Sequence, residues 1–181
     1  MMKQFGIYIE RFLHNARIAR ALITTQYSLM LEYRAEIILW AISGILPLIM
    51  LGIWKEAEIT TTLGFNNESL DRYFISAFVV RQFTAVWVMV TFEEDNLEGR
   101  LSPYLIQPIM PFWRYFSSHL AEQISRFPIV IIMLSILFYF MPGSIWIPSI
   151  NILILFILST FAAFTVRFLL HWLFAMICFW N

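Results

Sequence analysis

The chain has 181 residues, of which 60% are apolar and 13% charged, with a mean hydropathy of +0.74. An ordinary globular domain is roughly 45–50% apolar and about 25% charged, so the composition excludes a soluble domain and points to an integral membrane protein. Twelve basic residues balance twelve acidic ones, which leaves no net charge to attract nucleic acid.

Residues 1–34 read as a helix with one apolar face. Phe5, Ile9, Phe12, Ala16, Ala19, Ile23, Tyr27 and Met30 recur at steps of three or four. With Lys3, Arg11, Arg17 and Arg20 this stripe suits a helix lying in the membrane interface. A soluble helix packed on a partner is the alternative. No compact apolar core marks a cleavable signal.

Residues 37–54 form an uncharged run long enough to cross a bilayer. Gly44 and Pro47 lie inside it, and bilayer helices tolerate such breakers. A polar stretch follows, with Gly64-Phe65-Asn66-Asn67 as its turn. Residues 73–92 form a second span, interrupted by Arg81-Gln82, and 93–126 a polar excursion. Residues 127–141 form a third span, ending at Pro142-Gly143-Ser144. Residues 145–178 read as one long, tilted fourth span carrying Arg167 and His171, with a break near Arg167 as the alternative. The expected fold is an all-α integral membrane domain.

Basic residues flanking the spans predict orientation. Lys3, Arg11, Arg17, Arg20, Arg34, Arg100, Arg114 and Arg126 fall on one side, and only Lys55 and Arg72 on the other. That asymmetry places the N-terminus and the middle loop in the cytoplasm. Trp40, Trp54, Trp146, Trp172 and Trp180 lie towards span ends, as interfacial aromatic belts do.

Little in the sequence speaks for catalysis. No glycine is followed by lysine, so the chain has no Walker phosphate loop. His14, His119 and His171 are scattered, and Cys178 is the single cysteine, so neither a zinc site nor an internal disulfide is expected. His119 reads as a residue on an amphipathic helix. No cofactor is expected, and the chain does not read as an enzyme. Arg81 is costly at mid-membrane unless it faces protein or water. With Gln82 it is a candidate to line a path or join helices.

The stretch from Glu93 to Pro108 is the most informative. Glu93, Glu94, Asp95 and Glu98 open it, and Gly99 breaks the preceding helix. Ser102-Pro103 reads as an N-cap with a first-turn proline, and Pro108 as a stop. This predicts a short, bounded cytoplasmic helix offering Leu101, Tyr104 and Leu105 to a partner. A second helix begins at Pro111, with an apolar stripe of Trp113, Phe116, Leu120, Ile124 and Phe127.

Glu94, Glu98-Gly99, Leu101, Leu105 and Pro108 together resemble the coupling-helix segment of ATP-binding-cassette (ABC) exporter permeases of the type-2 class. A bacterial subfamily of export permeases is similar in more places: Tyr33-Arg34-Ala35-Glu36, Val80-Arg81-Gln82-Phe83-Thr84, Glu98 to Leu105, Phe112-Trp113-Arg114-Tyr115 and Phe179-Trp180. The resemblance implies a permease subunit of an ABC transporter, with an interface helix, a coupling helix docking on a separate ATPase, and a second permease subunit enclosing the path. It also implies a multi-pass protein of the cell (inner) membrane. Such permeases have six spans, so the chain reads as a partial, C-terminally truncated domain. The alternative function is a non-transporting membrane scaffold or assembly protein.

Overall fold

The computed structural model describes residues 2–56 and 67–179, and among these the chain is helical with no strand. Among the described residues eight α-helices occur in order: α1 (Met2–Glu32), α2 (Arg34–Ser43), α3 (Leu46–Glu56), α4 (Asn67–Thr84), α5 (Val88–Leu97), α6 (Leu101–Ile106), α7 (Pro111–Phe140) and α8 (Ile150–Cys178). A 3-10 turn, Pro142–Ser144, joins α7 to the approach of α8. The predicted turn from Gly64 lies outside the described residues, apart from Asn67, which begins α4.

Among the described residues four stretches are long and apolar enough to cross a membrane: Ala35–Glu56, Glu68–Leu97, Pro111–Phe140 and Ile150–Ile177. This suggests a membrane protein with four spans. The first comprises α2 and α3, which part at Gly44 and Ile45. The second begins earlier than residue 73 and is broken at 85–87, three residues past Arg81-Gln82. The third is a 30-residue helix that starts at Pro111, well before the expected residue 127. Its Pro128 has no N–H, so one helix bond is given up within the span. The fourth begins at Ile150, and Arg167 lies inside an unbroken helix.

The chain runs up and down, so the two ends of the bundle differ. At one end α1 and the 107–111 connection flank a common groove. At the other, the Lys55 ammonium pairs with the buried Asp71 carboxylate at 2.6 Å, and the Ser144 hydroxyl donates to the same carboxylate at 2.5 Å. The connection between the first and second spans and that between the third and fourth are thus tied at one carboxylate. Arg72 adds a cation–π contact, 5.7 Å from the Trp146 ring.

The inward face of α7 is polar and its outward face apolar. Tyr115, His119, Gln123 and Arg126 are buried, whereas Trp113, Ile124 and Phe127, from the apolar stripe seen in the sequence, are exposed. Phe116 and Leu120 of that stripe are half-buried. Bilayer hydrocarbon favours this arrangement, because apolar side chains gain nothing by hiding from lipid and polar ones must find partners. On α1, Ile23, Tyr27 and Met30 of the predicted stripe are half-buried, Ala16 and Ala19 are exposed, and Gln26 is buried. This helix makes its most extensive contacts with α7.

An aromatic cluster holds α5, α7 and α8 together. Phe168 meets the Phe116 ring edge-on at 5.1 Å and the Phe112 ring at 5.5 Å, and it stacks on Trp172. Phe92 reaches Tyr115 at 5.8 Å and Trp172 at 5.6 Å. Such pairs add about 0.5–1.5 kcal/mol each beyond area burial.

Candidate functional site

Two neighbouring regions carry the polar chemistry: the broken middle of the second span, and the loop that follows it. Breaking a helix within a membrane strands backbone groups, each costing several kcal/mol if left unpaired. An unbroken helix would bond the carbonyls of Gln82, Thr84 and Ala85 to amides four residues on, and the Trp87 amide to Phe83. Side chains from two other helices take those places. Arg126 donates to the Gln82 carbonyl at 3.3 Å, Arg167 to Thr84 at 3.4 Å, and the Gln123 amide to Ala85 at 3.0 Å. The Trp87 N–H donates to His119 Nε2 at 3.0 Å.

Because Nε2 accepts, His119 carries its proton on Nδ1, which donates to the Tyr115 carbonyl at 2.9 Å. Both ring nitrogens are spent, so the ring is neutral and structural. Arg126 is buried to 2% exposure and pairs with Glu122 one turn away. That pairing places a compensated charge, rather than a bare one, inside the bundle. His119 thus does more than sit on an amphipathic helix: α7 buries it as the cap of a broken neighbour.

Gln82 and Arg81 part company. Gln82 is 2% exposed and donates to the Ala41 carbonyl at 2.8 Å, joining the second span to the break in the first. Its amide fills the notch at Gly44, where an added Cβ would lie 2.5 Å from Nε2. Arg81 is exposed, and among the described residues it has no hydrogen-bond or ion-pair partner.

In the loop, Gly99 has φ +73°, a left-handed turn that glycine adopts without penalty. That turn sends Arg100 directly into α6, so the helix starts at Leu101 and Ser102 is not its cap. It ends at Ile106 with Gln107 extended, as the residue before a proline prefers. Asp95, buried on α5, accepts from Arg100 Nε at 2.8 Å and from the Tyr115 hydroxyl at 2.6 Å. Arg100 also pairs with Glu98, and the Asp95 hydrogen bond, followed by the Glu98 charge, raises the pKa of its guanidinium. The Arg114 guanidinium lies 3.7 Å over the Tyr104 ring. Asp95 therefore fastens α5 to α7 and to the start of α6, and Tyr104 fastens α6 to α7.

The sequence-selected residues divide accordingly. Leu101 is buried in the cluster with Val88, Phe92 and Tyr115, because the Gly99 turn points the first residue of α6 back into the bundle. It is not on offer to a partner. Tyr104 is half-buried beneath Arg114. Glu94, Glu98 and Pro108 are exposed. Leu105 is 63% exposed and Ile106 87%, and Leu97 across the turn is 78% exposed. Among the described residues, no group of three or more His, Cys, Asp or Glu is placed to hold a metal ion.

Comparison with protein-family models, curated proteins and solved structures finds no match to this chain.

Proposed function

We propose that the chain is the membrane-spanning permease subunit of an ABC exporter, with α6 and its flanks as the docking element for a separate ATPase. The observation that carries this reading is the exposed Leu97, Leu105 and Ile106 edge beside a turn fixed by Asp95, Arg100 and Tyr115. A coupling element must present an apolar surface and must not yield when pushed. Large exposed apolar residues on a rigid, charged-rimmed turn meet both needs. The break at 85–87 supports the same reading, since it lies between α4 and the α5–α6 unit, where motion at the docking end could be passed into the span.

On this reading the chain is a multi-pass protein of the cell (inner) membrane. The N-terminal helix and α6 lie in the cytoplasm, and a second permease subunit completes the path. Arg81, unpaired within the described chain, faces that subunit or the path. Co-expression with a tagged ABC ATPase tests the proposal. Stable co-purification in detergent is expected; a chain that inserts normally yet captures no ATPase favours the scaffold reading.

A further inference from the structure

The geometry points to an anionic-phospholipid site between α1 and α7: an acyl chain lying in the groove that separates them, with the headgroup phosphate on Arg114. The groove measures about 580 Å³, within the usual range of ligand sites. Ile18, Leu22 and Ile23 of α1 and Trp113, Phe116 and Leu120 of α7 line it, and the 108–110 segment completes the wall. Asn15 and Ser117 are the polar residues of the lining, and the Ser117 hydroxyl is committed to the Arg114 carbonyl at 2.9 Å, so the wall is mainly apolar.

A small adjoining cavity shares Leu22 and Ile109 with the groove and adds Arg114 and Gln107 to its lining. Arg114 is held by the Tyr104 ring at 3.7 Å, and among the described residues no carboxylate pairs with it. Its five N–H donors suit a phosphate, which accepts in the same fork geometry. A fixed cation without a counter-ion, at the mouth of an apolar groove and at the end of the bundle where the third span begins, matches a lipid with a negative headgroup. Basic pockets between membrane helices bind such headgroups.

Native mass spectrometry of the delipidated full chain, titrated with phosphatidylglycerol or phosphatidylcholine of identical acyl chains, tests the site. About fivefold preference for phosphatidylglycerol is expected, the effect of one arginine near a membrane surface. Arg114→Gln should bring phosphatidylglycerol down to the phosphatidylcholine level, and Arg114→Lys should keep the preference. Ala19→Trp, which fills the groove, should lower binding of both lipids. Equal binding of the two lipids by the wild-type chain, or undiminished preference in Arg114→Gln, overturns the proposal. So does competition by inorganic phosphate without loss of acyl-chain binding, or a dimer that excludes lipid from the groove.

Discussion

The His119 ring accepts the Trp87 amide at 3.0 Å and donates to the Tyr115 carbonyl at 2.9 Å, so one side chain of the third span caps a break in the second. Replacing it with phenylalanine keeps the ring and removes both bonds. The Trp87 N–H is then unpaired in the bundle, at a cost of about 1–3 kcal/mol. Thermal unfolding in detergent should show His119→Phe melting well below the wild-type chain. An unchanged midpoint would mean the cap contributes nothing.

Gln82 and Gly44 are expected to behave as one unit. Gly44→Ala would push the Gln82 amide off the Ala41 carbonyl rather than wreck the helix, because the clash falls at the far end of a flexible side chain. The loss is about 1 kcal/mol for one hydrogen bond. Gln82→Ala should cost about as much and should make Gly44→Ala nearly harmless in the same chain. Additive costs in the double mutant would show the two residues to be independent.

Asp95 restrains Arg100, whose side chain is otherwise half-exposed on the turn. Asp95→Ala should free this arginine and leave the Tyr115 hydroxyl unpaired. Limited trypsin digestion should then nick the chain after Arg100 several-fold faster than in wild type. Equal nicking rates would mean that the turn is held by other contacts.

Gly99→Ala puts an L-residue at φ +73°, at a cost of about 1 kcal/mol or more. The strain falls on the turn that launches α6, so its effect should be local. Trypsin sensitivity at Arg100 should rise while the unfolding midpoint moves little; a large fall in the midpoint without local sensitivity would contradict this.

Hydropathy made the four spans legible, since a long apolar run has few alternatives to crossing a bilayer. The break at 85–87 was hidden, because Ala85, Val86 and Trp87 include neither glycine nor proline. What supports it is a set of donors and acceptors on α7 and α8, distant in sequence. A signal did exist: Tyr115, His119, Gln123 and Arg126 follow each other at steps of four, four and three, a polar stripe inside an apolar helix. The apolar stripe of that helix did not mark its buried side: Trp113, Ile124 and Phe127 are exposed, because the soluble-protein rule fails where the solvent is lipid. Arg81 drew attention as a charge, yet neighbouring residues on a helix point about 100° apart. The uncharged Gln82 faces inward, and Arg81 does not.

The proposed docking surface rests most directly on Leu105, exposed at the end of α6 and free of the internal cluster that buries Leu101. Leu105→Asp can be introduced without disturbing the bundle, and its affinity for the ATPase measured beside its unfolding midpoint. Loss of an apolar anchor at a hot spot costs about 2 kcal/mol, roughly a 30-fold weaker Kd. The account predicts that weakening with an unchanged midpoint. ATPase binding at wild-type strength by a correctly inserted Leu105→Asp chain would contradict it.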